Sequence, residues 1–149
     1  VFPPPEVRRD LASVIPGARS SKWHITLAFL GDADPAVVAS SLAGRSFGPS
    51  FRLRLAGGGR FDAVVWAGVA GDLDALHELH ARLKPDDPRE FKPHLTVSYR
   101  FSRSLLNSLS GYKGPSWEIS SFQLTRSVAG SYSPLALLPL DSNTGDQQA

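Results

Sequence analysis

Two stretches of the chain, KWHITL at 22–27 and KPHLTV at 92–97, repeat one phrase: Lys, any residue, His, a branched apolar residue, Thr, a branched apolar residue. They hold His24 and Thr26 in one copy and His94 and Thr96 in the other, half of the four histidines and half of the four threonines. By chance, roughly one chain in ten of this composition would carry a single H-x-T, and far fewer would carry two. An unperturbed imidazole titrates near pH 6.5, so at neutral pH one histidine can be a neutral base while a partner near an anion stays protonated and acts as an acid. Each such proton transfer contributes typically about 10²–10⁴-fold in rate. Two threonine hydroxyls could donate to non-bridging oxygens and stabilise charge developing on phosphorus. This equipment suits phosphodiester cleavage with no metal and no cofactor. The chain carries no nucleophilic Ser or Cys arrangement, no H-E-x-x-H and no phosphate-binding G-x-x-x-x-G-K-[ST] loop.

The chemistry requires both motifs to be extended, because side chains on a strand alternate between faces. Lys22, His24, Thr26 and Ala28 then share one face, opposite Trp23, Ile25, Leu27 and Phe29. Lys92, His94, Thr96, Ser98 and Arg100 likewise oppose Leu95, Val97 and Tyr99. The surrounding pattern repeats as well. In the first half, Val1 and Phe2 read as the end of a strand. A helix follows from the prolines at 3–5 to about Val14, then the strand WHITLAFL, a helix from Asp34 to about Leu42, and the alternating strand FRLRLA. In the second half, AVVWAGV is a strand, DLDALHELHARL a helix capped by Asp72, PHLTVSY a strand, and SRSLLNSLSG a short helix between Ser102 and Gly111. WEISSFQLTRSV and YSPLALLPL read as a closing hairpin across AGS. GGGR at 57–60 reads as a turn between the halves. The expected fold is α+β: one domain over 1–140, made of two similar lobes related by a pseudo-twofold axis, with mainly antiparallel sheets. Residues 141–149 are polar, lack periodicity and read as a flexible tail. If the lobes face each other, both polar motif faces line one cleft.

Composition narrows the alternatives. With 149 residues, 42% of them hydrophobic, the chain can build one compact core. A net charge of +2 does not announce nucleic-acid binding by itself. The lack of cysteine excludes disulfides, thiolate metal sites and a cysteine nucleophile, and fits a reducing compartment. No apolar run approaches the roughly 20 residues that cross a bilayer. A cytoplasmic monomer without a membrane partner is expected. His77 and His80, three apart on a helix, have no evident third ligand and read as helix surface. Phe61 could stack on a nucleobase or pack in the core. Arg52 and Arg54 read as a solvated sheet face.

The paired motifs carry a resemblance. Two H-x-T-[LV] sequences in a chain of this size resemble the 2H phosphoesterase superfamily, and HITLAFLGD with FKPHLTVS is similar to the bacterial RNA 2′,3′-cyclic phosphodiesterases, also called the 2′-5′ RNA ligase family. The likeness extends from PPPEVRRDL through VVWAGV to YSPLALLPL. It implies two mainly antiparallel sheets flanking a central cleft, helices outside, no metal, and hydrolysis of 2′,3′-cyclic phosphates on RNA ends or nucleotides to 2′-phosphomonoesters. His24, His94, Thr26 and Thr96 would be the catalytic set, with neutral His94 activating water and His24 protonating the departing 3′ oxygen. Family members often carry an Arg where this chain has Tyr99, and Arg100 follows it. Arg100, Lys92, Lys22, Ser98 and Phe61 are the candidate substrate-binding residues. Two other functions use the same parts: cleavage or ligation at 2′-5′ linkages or another cyclic phosphate, and RNA or nucleotide binding without catalysis.

Overall fold

A computed structural model describes residues 1–15 and 22–142. Its helices begin where the capping residues predict. α1 (Pro5–Val14) starts on prolines and buries Val7 and Leu11. α2 (Pro35–Leu42) is capped by Asp34, whose carboxylate accepts the Ala36 N–H. α3 (Leu73–Leu83) buries Leu76 and Leu79. Asp72 precedes it, but its carboxylate accepts the Arg52 N–H at 2.9 Å and ties the helix start to the sheet instead of capping the helix. α4 (Arg103–Leu109) is capped by the Ser102 hydroxyl, and Gly111 follows it at φ 79°.

The strands form two antiparallel sheets. β1 (Phe51–Phe61), β2 (Val64–Gly71), β3 (His94–Ser98) and β4 (Trp117–Ile119) are ordered β3-β2-β1-β4. β5 (Ser121–Val128) and β6 (Ser131–Pro139) pair separately, joined by Ala129 and Gly130 at φ 51° and 81°, as a tight two-residue hairpin requires. The stretch WEISSFQLTRSV is therefore not one strand: the chain changes sheets at Ser120. Buried residues from α1, α3, α4 and both sheets join in one hydrophobic core, with Trp23, Ile25 and Leu27 of the first motif among them.

Three expectations need correction. GGGR is not a turn but the second half of β1, and the chain reverses at Asp62, in the left-handed region at φ 51°. Gly57 takes a positive φ of 66°, and the other two glycines have close neighbours. A Cβ on Gly59 would lie 2.5 Å from the Trp66 indole, and one on Gly58 would lie 2.6 Å from Leu109 of α4. WHITLAFL, second, is not a continuous strand. Ile25 exchanges backbone hydrogen bonds with Val1 on one side and forms a single antiparallel bridge to Leu95 on the other. Beyond it, the Leu27 and Phe29 carbonyls accept from His80 Nδ1 and Lys84 Nζ, so side chains replace a neighbouring strand. Finally, Asp141 is anchored: its backbone bonds Gly48 and Ser50, and its carboxylate accepts from Ser46. Residues 143–149 of the expected tail lie outside the described residues.

Candidate active site

β3 and the bridge at Ile25 bring the two motifs together. Ile25 and Leu95 oppose each other across the bridge, and both are fully buried. In the first motif Trp23, Ile25 and Leu27 are buried while Lys22 and Thr26 are exposed and His24 is half-buried, so the two-residue alternation survives without a regular strand. Residues directly opposed in an antiparallel pair share a face. His24, Thr26, His94 and Thr96 therefore lie on the same side of the bridge, opposite the core.

Each histidine is oriented in the same way. His24 Nδ1 lies 2.8 Å from the Lys22 carbonyl oxygen, and His94 Nδ1 lies 2.7 Å from the Lys92 carbonyl oxygen. A carbonyl only accepts, so each Nδ1 carries the hydrogen and Nε2 is left for proton transfer. The Lys-x-His spacing of the repeated phrase thus closes the same local bond twice. Aromatic rings wall both imidazoles. Phe2 and Tyr132 lie 5.5 and 5.2 Å from the His24 ring. Phe61 and Trp66 lie 5.2 and 6.0 Å from that of His94. Burial pushes the His24 imidazole below its ordinary value, the bond to Lys22 opposes this, and His94 is near enough for its charge to add to the lowering. The hydroxyls of Thr26 and Thr96 make no hydrogen bond to another described residue, which leaves both free to donate to an anion.

A sequence profile of the 2′-5′ RNA ligase superfamily matches residues 6–128, most of the 149-residue chain. The chain belongs to this superfamily. Solved structures agree. E. coli LigT complexed with phosphate is 27% identical over 92% of each chain, with a TM-score of 0.68. E. coli LigT complexed with 3′-AMP is 28% identical over the same shares, with a TM-score of 0.67. The Thermus thermophilus protein TT0787, at 24% identity over 96% of each chain and a TM-score of 0.71, shares the fold. No curated protein matches the chain. The fold is that of the 2H phosphoesterases, two sheets flanking a central cleft, and the chain is a phosphoesterase-family protein.

Within this superfamily member, the candidate substrate-binding residues are not equivalent. Lys22 Nζ donates to the Gly130 carbonyl at 2.8 Å and pins the β5–β6 turn to the first motif. The Ser98 hydroxyl is used in a local turn with the Arg100 backbone. Lys92 is exposed, 4.0 Å from Glu90. Arg100 is exposed, and its guanidinium has no ionic partner among the described residues. Phe61 lies against His94 and is 40% exposed, which puts it at the site and not in the core.

Sequence reasoning missed Phe2, Trp66 and Tyr132 as walls. None left a local signal; in the structure Trp66 stands opposite Thr96 in the β2–β3 register and so shares that residue's face. Its indole Nε1 is buried without a hydrogen-bond partner. His80 is not plain helix surface. It is half-buried, stacks on Phe91 at 4.2 Å and holds the Leu27 carbonyl of the first motif, while His77 packs against the edge of Phe91. Arg52 and Arg54 are exposed as expected, and Arg52 donates to Ser116.

Proposed function

We propose that the protein hydrolyses 2′,3′-cyclic phosphates on RNA ends or nucleotides to 2′-phosphomonoesters without a metal, acting as a cytoplasmic monomer. The observation that carries this reading is the duplicated imidazole geometry: two Nδ1 atoms fixed on carbonyls, two Nε2 atoms available, and two uncommitted threonine hydroxyls on the same side of one bridge. In the reaction, neutral His94 takes a proton from water as the water oxygen bonds to phosphorus. The P–O3′ bond breaks, and His24 gives its proton to the departing O3′. Thr26 and Thr96 donate to the non-bridging oxygens as charge builds on them. Exchange with solvent returns both imidazoles to their starting states. Arg100 and Lys92 supply cationic charge for the phosphate.

The phosphate and 3′-AMP complexes of LigT support a site for phosphate esters in this family. The superfamily's description favours one second reading, cleavage or joining of 2′-5′ linkages, which would use the same acid, base and anion site. Turnover of a 2′,3′-cyclic nucleotide in excess EDTA tests the first reading. Formation of the 2′-phosphomonoester at an undiminished rate is expected. Turnover of 2′-5′-linked dinucleotides alone would favour the second reading, and binding without turnover of either substrate would leave a non-catalytic module.

A further inference from the structure

Resting on the reading of the site as a cyclic phosphodiesterase, we infer that His80 is a positioning residue for the reaction. By gripping the Leu27 carbonyl it sets the place of the Thr26 hydroxyl at the phosphate, a dependence that Thr96, the counterpart in the second motif, does not share.

The two threonines stand in matching phrases but on unlike supports. Thr96 lies inside β3, opposite Trp66 of β2, so a ladder fixes its backbone. Thr26 is the first residue past the bridge between Ile25 and Leu95, and the chain bends at Leu27. From there α3 does the work of a neighbouring strand. His80 Nδ1 lies 2.6 Å from the Leu27 carbonyl oxygen, and Lys84 Nζ, one turn on, donates to the Phe29 carbonyl at 2.7 Å. Residues four apart share a helix face, so one edge of α3 meets alternate carbonyls of the motif. Thr26 is thereby held between two anchors, the backbone of Ile25 before it and the Leu27 carbonyl after it.

The imidazole that forms the second anchor is itself fixed. A carbonyl only accepts, so Nδ1 of His80 carries the hydrogen. Its ring stacks on Phe91 with centroids 4.2 Å apart and planes 5° from parallel, and His77 meets the same ring edge-on at 5.2 Å. Leu76 and Leu79 bury the helix, and Phe91 packs against the same core three residues before His94. His80 therefore ties the segment that carries Thr26 to the segment that leads into the second motif. The chemistry requires such a tie, because a hydroxyl stabilises charge developing on a non-bridging oxygen only when its position is set in advance.

The test measures kcat and KM for 2′,3′-cyclic AMP in His80→Leu and His80→Asn, and in His80→Leu combined with Thr26→Ala or with Thr96→Ala. Leu fills the space of the imidazole without a donor, whereas Asn carries an amide nitrogen as far from the backbone as Nδ1. His80→Gln, whose amide reaches one bond farther, replaces His80→Leu should that variant fold poorly. His80→Leu should lower kcat by up to about tenfold with KM unchanged, because the interaction it spoils is made in the transition state. His80→Asn should recover most of the rate. In the Thr26→Ala background His80→Leu should add no further loss, and in the Thr96→Ala background its own loss should appear in full, as independent sites require. Equal further losses in both backgrounds, an unchanged kcat in His80→Leu, or a His80→Asn protein just as slow would overturn the inference. If the unmodified protein turns over no cyclic AMP, the cyclic phosphodiesterase reading fails, and the positioning is read from backbone relaxation by NMR instead. The Thr26 amide order parameter should then fall from the rigid range, about 0.85, toward about 0.6 in His80→Leu and recover in His80→Asn, with Thr96 unchanged. A Thr26 value equal in all three proteins would overturn it.

Discussion

At the scale of single residues, the two histidines share a hydrogen-bonding device but differ in surroundings. Each Nδ1 is fixed by the carbonyl two positions back, yet burial lowers the His24 imidazole, and a bound anion would favour its cationic form. If His24 is the acid, the alkaline limb of kcat/KM, which reports the free protein, falls below the ordinary imidazole value near 6.5, and phosphate binding moves the corresponding limb of kcat upward. His24→Gln should remove the alkaline limb and His94→Gln the acidic limb, each with a loss of about 10²–10⁴-fold. Thr26→Ala and Thr96→Ala should lose less, about tenfold, because a hydroxyl supports charge but moves no proton. These profiles, measured with a 2′,3′-cyclic nucleotide, also decide the order of roles. Loss of the acidic limb in His24→Gln would make His24 the base, and near-unchanged rates in either variant would remove acid–base catalysis from the motifs.

At the scale of elements, the glycines of β1 and β2 hold the sheet in the shape that puts Trp66 and Phe61 beside His94. Gly57, at φ 66°, sits in the bulge between Leu55 and Gly58, where β1 also bonds the chain around Tyr112 and Gly114. Across the ladder, a Cβ on Gly68 would lie 2.4 Å from the Ala56 carbonyl oxygen, a backbone atom that cannot swing aside. On Gly59 it would meet the Trp66 ring at 2.5 Å, and that side chain can shift. Gly68→Ala should therefore destabilise more than Gly59→Ala, both within the range of about 1–3 kcal/mol typical of overpacking. Gly59→Ala should in turn change the tryptophan emission and weaken the site through the displaced wall. Thermal unfolding and fluorescence of the two variants check this, and a Gly68→Ala protein as stable as the unmodified one would contradict the close approach. The sequence was misleading here for a definite reason. A glycine run is the strongest local sign of a turn, but Gly57 supplies a positive φ at the bulge, Gly58 makes room for Leu109 of α4 and Gly59 for Trp66 across the hairpin, and the turn itself is made by Asp62.

At the scale of the whole molecule, the small β5–β6 sheet acts on the first motif from outside the larger one. Lys22 holds its turn through Gly130, and Tyr132 lies edge-on to the His24 ring. Tyr132→Ala should uncover His24 and raise its midpoint toward the ordinary imidazole value, as read by NMR titration of the ring. The effect on stability has a fixed sign. A group whose folded value is lowered binds more protons when unfolded, so its contribution to stability is present above about pH 6.5 and is lost as pH falls through the lowered folded value. His24→Gln should flatten the loss of stability in that window. A denaturation series with the same pH slope in both proteins would count against a half-buried, neutral His24.

What the sequence determined by itself was local. The repeated phrase marked His24, Thr26, His94 and Thr96, residue parity put each pair on one face, and Asp34, Ser102 and Gly111 marked helix ends, because side-chain alternation and capping depend only on near neighbours. The two-residue spacing that closes each Lys carbonyl to its histidine was also in plain view. Only the tertiary structure decided what surrounds those residues. The single bridge between Ile25 and Leu95, the chain's change of sheets at Ser120, the aromatic walls of Phe2, Tyr132, Phe61 and Trp66, and the grip of His80 on Leu27 all join segments distant in sequence. Such contacts depend on how sheets stack and where backbones approach, and no local pattern of residues encodes them.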